Sequence, residues 1–137
     1  MSTPMFADFA KHFKGEFHSC DISEDNIKSA KIFTKSFSNN IFFYIQDSVE
    51  FLRTFKKRID VLYLDSLDGH DPKAASKHQL NEAKVSIDKL HLNSLVLLDD
   101  KGSKTNLSIN FFLKNSFKII YETRYQVLLS NYANIKN

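Results

Sequence analysis

Acidic side chains close three apolar runs in this chain. Glu16-Phe-His-Ser-Cys-Asp21, Ile59-Asp-Val-Leu-Tyr-Leu-Asp65 and Leu95-Val-Leu-Leu-Asp99-Asp100 each read as a strand that ends on a carboxylate. A carboxylate there can accept hydrogen bonds from hydroxyl groups, exchange a proton or ligate a hard cation. Asp65, Asp99 and Asp100 matter most as a set. Neighbouring strands would bring them together, where they repel and raise one another's pKa unless something positive meets them. An all-oxygen set suits Mg2+ or Ca2+ rather than zinc; the plainer alternative is that Asp99-Asp100 only ends a strand and caps a turn. His70 follows in the loop after Asp65 and is a candidate general base, because imidazole titrates near neutrality. An ordinary surface histidine is the alternative there.

The elements that must position these groups follow from periodicity and from start and stop signals. Ser2-Thr3-Pro4 reads as a hydroxyl cap with proline in the first helical turn. Met5, Phe6, Phe9 and Phe13 then mark an apolar helical face that Gly15 terminates. Ser23 caps a second helix with Ile27, Ala30, Phe33 and Phe37 inward. Ile41 to Ile45 is nearly all apolar, which suggests a strand covered on both faces. It runs into Gln46-Asp47-Ser48 and a short helix. After the strand ending at Asp65, Asp71-Pro72 opens a long helix packed through Ala75, Leu80, Ala83, Ile87 and Leu90. The strand Leu95 to Leu98 leads to a loop, Lys101-Gly-Ser-Lys104, expected to be flexible. A helix over about 106–115 precedes two strands, Phe117 to Tyr121 and Tyr125 to Leu129, made antiparallel by their tight connection. The predicted order is αβαβαβαβαββ, an α/β layered sheet with its acids along the carboxyl edge, where open sheets of this kind bind ligands.

Composition narrows the field. The 137 residues suit a single domain over 1–137, and 42% hydrophobic content with thirteen Phe is enough for a core. A net charge of +3, with basic residues scattered, lacks the concentrated basic face of a nucleic-acid binder, so no nucleic-acid partner is expected. Arg53-Thr-Phe-Lys-Lys-Arg58 reads as a solvated helix end. One cysteine, Cys20, precludes an internal disulfide and reads as an inert core thiol. No apolar run is long enough to span a bilayer and no signal peptide is evident, so a cytoplasmic setting without membrane partners is expected.

Taken in order, these segments resemble class I S-adenosylmethionine-dependent methyltransferases. The terminal antiparallel pair after repeated βα units carries the resemblance. So do Asp21-Ile22, similar to the second-strand motif whose acid binds the cofactor ribose, and Asp47-Ser48, similar to the stretch beside the adenine. Asp65 stands where the fourth-strand motif approaches the reaction centre, and Asp99-Asp100 at the fifth-strand end. The resemblance implies a three-layer Rossmann-like sheet with S-adenosylmethionine as cofactor. It implies Ser2, Thr3, Asp21, Ile22, Asp47, Ser48 and Asp65 as cofactor contacts and Asp65 as a catalytic group, beside which His70, read from its loop position, would be the base of a non-metal mechanism. In metal-dependent branches, such as the catechol O-methyltransferase type, acids like Asp65, Asp99 and Asp100 hold Mg2+, which lowers the pKa of an acceptor hydroxyl. An O-directed transfer to a small molecule is the matching expectation.

The family opens with a strand and a glycine-rich loop that this chain lacks. Ser2-Thr3 resembles only the tail of that loop. The resemblance therefore implies an N-terminally truncated domain, a gap between the strands ending at Asp21 and Asp65, and weak cofactor binding by the chain alone. A complementing N-terminal fragment or homo-oligomerisation would fill such a gap. A non-catalytic remnant that binds a partner or itself is the alternative function. A nucleotide-dependent oxidoreductase is disfavoured by the lack of Gly-x-Gly-x-x-Gly.

Overall fold

A computed structural model describes residues 3–37, 40–65, 71–102 and 104–132. The elements are α1 (Thr3–His12), β1 (Phe17–Asp21), α2 (Glu24–Phe33), β2 (Ile41–Ile45), α3 (Ser48–Thr54), β3 (Ile59–Leu64), α4 (Pro72–Ser86), β4 (Leu90–Asp99), α5 (Asn106–Lys114), β5 (Lys118–Glu122) and β6 (Gln126–Ser130), with 3-10 turns at Lys35–Phe37 and Ile87–Lys89. This is the predicted alternation, element for element. No described helix is long and apolar enough to cross a membrane.

The chain divides into two compact units, Met1–Phe51 and Leu52–Asn137. In the first, β1 and β2 form a parallel pair in simple register, Phe17 opposite Ile41 through Asp21 opposite Ile45. Ala7, Ile27 and Ala30 are its buried apolar residues. Ser23 starts α2 by accepting a hydrogen bond from the Asn26 amide, with Glu24 and Asp25 in the first turn favouring the helix dipole. The aromatic face expected of α1 is not inside its unit: Met5, Phe9 and Phe13 are more than half exposed, and Ala7 is the buried residue. Cys20 is only partly buried, its thiol donating to the Gln46 carbonyl at 3.1 Å.

The second unit holds a four-stranded sheet in the order β3-β4-β6-β5. β3 and β4 are parallel, whereas β6 runs antiparallel to both β4 and β5. Leu62, Leu64, Val96, Leu98, Val127 and Leu129 are its buried rows, alternating along each strand as period two requires. Phe112 of α5 is fully buried and meets the Phe117 ring edge-on at 5.2 Å between centroids.

Two local readings change. Asp71 caps α4 through the Lys73 and Ala74 amides with Pro72 at the first position, as expected, but the helix ends at Ser86. Its buried face is Ala75, Gln79, Glu82, Ala83 and Ser86, a mixed polar set, with Leu90 already in β4. β4 begins earlier than its apolar run because an irregularity absorbs extra residues between the Ile59–Leu90 and Val61–Leu95 pairs. There Asn93 adopts a left-handed φ of 80°, and the buried Ser94 hydroxyl donates to the Ile59 carbonyl at 2.7 Å while accepting from the His91 amide at 2.9 Å.

Truncating the Phe112 ring should leave a cavity in a fully packed position. Phe112→Ala is expected to lower unfolding free energy by about 3–5 kcal/mol, read by urea denaturation. A loss under about 1 kcal/mol would mean that the position is not part of a packed core.

Candidate functional site

Both sheets carry acids at their carboxyl ends, as the sequence pattern requires. In the first unit, Asp21 ends β1, and Asp47 follows β2 across a parallel ladder whose last link is the Gln46 amide to the Asp21 carbonyl, 3.2 Å. Asp21 is half-buried. One of its oxygens accepts from the Ser23 amide at 2.8 Å and the other from the Asn26 side chain at 3.0 Å. These bonds fix the carboxylate, and each oxygen keeps a second lone pair for an outside donor. Ile22 beside it is 75% exposed, an apolar side chain left in water. Asp47 accepts from the Glu50 amide at 3.1 Å, so it caps α3. Ser48 is the first residue of that helix. Thr3 opens α1, whereas Ser2 and His70 lie outside the described residues.

In the second unit the β3–β4 register, Leu64 opposite Leu98, sets Asp65 beside Asp99. Asp100 follows in a left-handed conformation, φ 62°, that aspartate tolerates better than most residues. One carboxylate oxygen from each of Asp65, Asp99 and Asp100 lies within 4.8 Å of the others. Three groups that the sequence pattern did not single out meet them. The Tyr63 hydroxyl is 2.6 Å from Asp99 Oδ2 and 3.2 Å from Asp65 Oδ2, so its single hydrogen goes to the nearer Asp99. Gln126, opposite Asp99 in the β4–β6 ladder, hydrogen-bonds Asp99 through its side chain. Lys104 brings its ammonium to 3.1 Å from Asp100 Oδ2 and 3.4 Å from Asp65 Oδ1, with only 1% of its side chain exposed.

Lys101 and Lys104, at the two ends of the loop expected to be flexible, are both held by named partners. Lys101 is held by its amide on the carbonyl of Tyr125, the residue before β6, 2.8 Å, and by an ion pair with Glu122 at the end of β5, 3.2 Å. Gly102 takes the φ of 91° that lets the backbone turn back. The signal for Lys104 was its place four residues after Asp100, one turn along; its second partner, Asp65, is brought near by the β3–β4 pairing.

Electrostatics divides the acids. Burial pushes the Asp65 carboxyl above its usual range, reinforced by Asp99 and Asp100 and opposed by Lys104. Burial also works to raise Asp99, but hydrogen bonds from Tyr63, the Asp100 amide and Gln126, with the Lys104 charge, overcome it and hold Asp99 below its usual range. Three hard oxygens are the right chemistry for Mg2+. With an ammonium already on two of the carboxylates, however, the folded set does not fit a second cation, and no step is assigned to magnesium.

Elsewhere, His18 lies 2.9 Å from both Glu16 Oε1 and the Tyr44 hydroxyl and stacks on Phe42. His91 pairs with Asp60. The i, i+2 spacing of Glu16 and His18 on one strand face was the available signal for the first.

No family model matches the sequence, and a search of curated proteins gives no match. Solved structures do match. A methyltransferase from Podospora anserina bound to S-adenosylhomocysteine superposes with a TM-score of 0.69 at 10% identity, covering 95% of this chain and 68% of that one. A methyltransferase described as putative from Streptococcus mutans, in complex with S-adenosylhomocysteine, gives 0.63 at 11% identity over 83% of this chain and 74% of its own. An rRNA methylase from Streptococcus thermophilus gives 0.66 at 9% identity over 85% and 74%. The last of these overturns the expectation of a small-molecule acceptor with no nucleic-acid partner. Scattered net charge measures the whole surface, and the same framework occurs in a protein named for ribosomal RNA.

The opposed shifts of Asp65 and Asp99 predict opposite pH behaviour for their amides. Asp99, held low, contributes stability that is complete above its unfolded value near 3.8 and is lost as pH falls through its lower folded value. Asp65, held high, carries a penalty that is complete above its raised folded value and gone below 3.8. Relative to wild type, Asp99→Asn should be destabilised by about 1–2 kcal/mol at pH 7, and less at pH 3. Asp65→Asn should be relatively more stable at pH 7 than at pH 3. Thermal unfolding of the three proteins across that range decides it; parallel curves would refute the assignment. The alternation of elements, the β3-β4-β6-β5 order with β6 reversed, and these superpositions together show that the chain has the class I S-adenosylmethionine-dependent methyltransferase fold.

Proposed function

We propose that this chain binds S-adenosylmethionine and serves methyl transfer to an RNA acceptor. The observation that carries the reading is the likeness in fold to methyltransferases bound to S-adenosylhomocysteine and to an rRNA methylase. Asp21 supports it. Its carboxylate is already oriented by its own turn and keeps the lone pairs that two vicinal ribose hydroxyls need. Exposed Ile22 would cover one face of the adenine, and the Asp47-Ser48 start of α3 would meet its edge. Methyl transfer asks for no covalent help from the protein. When bound, S-adenosylmethionine would supply a methyl group carried on a sulfonium, and Asp21, Ile22 and the Asp47-Ser48 turn would hold it for transfer. Orientation in line supplies much of the rate.

Calorimetric titration with S-adenosylhomocysteine tests the cofactor half. Asp21→Asn keeps an oxygen for the Ser23 amide but removes the charge, and should weaken binding by about tenfold or more while leaving the far-UV circular dichroism unchanged. Equal affinity in variant and wild type would remove Asp21 from the site. Transfer of a radioactive methyl group from the cofactor to ribosomal RNA, absent with cofactor but no protein, tests the acceptor half.

A second reading, a partner-binding or self-associating module, has one observation in its favour. β1 pairs only with β2, and β3 only with β4, among the described residues, so each presents an edge that an added strand could extend. Light scattering should then show a mass that rises with concentration. A constant monomeric mass would count against it.

A further inference from the structure

We infer that the Lys104 ammonium is the resident cation of the Asp65–Asp99–Asp100 cluster, so that the cluster is complete without a divalent metal and excludes one. This stands whether or not the chain transfers methyl groups, because it concerns the charge balance of one corner of the second unit.

Four observations carry it. The three carboxylates converge within 4.8 Å, a donor set that by its chemistry attracts a hard cation. Lys104 Nζ lies against two of them, at 3.1 and 3.4 Å. The third, Asp99, is taken by neutral donors, the Tyr63 hydroxyl and the Gln126 side chain. Finally, Lys104 is 1% exposed although lysine almost never buries without a paired charge. Its position is enforced by the backbone: the Lys104 amide bonds back to the Asp100 carbonyl at 3.4 Å, and Thr105 accepts the first bond of α5 from Ile109. Swinging the ammonium out to solvent would break both ion pairs and leave Asp65 and Asp100 without that cation. Magnesium or calcium would have to bind at 2.0–2.6 Å from the same oxygens, facing a fixed positive charge at close range. Lysine thus supplies permanently, by a side chain, the positive charge that an acid cluster otherwise draws from solution.

The 137-residue chain and terbium test this directly. Tb3+ takes oxygen ligands, and its emission is sensitised by a nearby tyrosine, here Tyr63. Wild type should show no saturable Tb3+ emission that depends on Asp99, and no change in unfolding temperature with Mg2+ or Ca2+. Lys104→Met, which keeps the length and removes the charge, should gain saturable emission, with binding tighter by about tenfold or more. It should also unfold at a higher temperature with Ca2+ than without. Adding Asp99→Asn should abolish that gain, and Lys104→Arg should remain blind to metal like wild type. Saturable Tb3+ binding by wild type that Asp99→Asn removes would overturn the inference, as would a folded Lys104→Met that gains no metal response. Should Lys104→Met be unfolded in chelator, refolding on added Ca2+ supports the inference. If it stays unfolded, the wild-type titration alone decides.

Discussion

Everything at the acidic end of the four-stranded sheet depends on one buried ammonium. Parallel neighbours such as β3 and β4 run about 4.8 Å apart, and in-register strands that both end in aspartate place two carboxylates at about that spacing. At an effective dielectric near 20, such a pair repels by roughly 3 kcal/mol. A third acid, Asp100, adds to it. Left alone, the arrangement would splay the strand ends or keep a proton. Lys104 removes the conflict between Asp65 and Asp100, and Tyr63 and Gln126 satisfy Asp99 without adding charge. The ion pairs are also what make burial of a lysine tolerable. A buried charge without its partner is strongly destabilising, so cation and acids require each other.

The first unit handles its acids in another way. Asp21 and Asp47 are met by amides of their own turns rather than by a cation, and both start helices, directly or through the loop. Backbone amides neutralise nothing but orient firmly. Each Asp21 oxygen keeps a second lone pair beyond those bonds. The same residue type at the same strand position is thus held in two ways: around Lys104 in one unit, and by its own turn in the other.

How much of this was legible in the sequence can be judged residue by residue. The strand ends were legible because an apolar run that closes on an acid must pass from a covered interior to a wet edge within one residue. The β5–β6 pair was legible because its connection is too short for a crossover. Asp71-Pro72 announced α4 by capping chemistry alone. Lys104 was only half legible: its place four residues after Asp100 is a local signal, but its second partner, Asp65, comes from the pairing of β3 with β4. The buried side of α4 was misread for a related reason. Gln79, Glu82 and Ser86 share a helical face with Ala75 and Ala83, and a reading that counts apolar residues discards such a face. The early start of β4 escaped because it depends on Ser94 bonding to β3, a contact across 35 positions. The aromatic stripe of α1 was seen correctly as a stripe, but amphipathicity states only that a face is apolar, not that its own unit covers it.

The acceptor class of the proposed function is the reading least accessible from sequence, for a physical reason. In this fold the strands and their edge acids are fixed by the sheet and by the small cofactor they would serve, and both leave marks at strand ends. An acceptor meets whatever surface surrounds the transferred methyl group, and that surface is built from loops and helix faces with no obligatory pattern. A net charge of +3 spread over 137 residues describes the average field far from the molecule. Binding to a polyanion depends instead on which few lysines and arginines share a face, and on the counterions they displace. That the basic residues are scattered along the sequence, apart from Arg53 to Arg58, therefore carries little weight against a basic face in three dimensions. The strand-end acids constrain the cofactor far more tightly than any feature of composition constrains the acceptor.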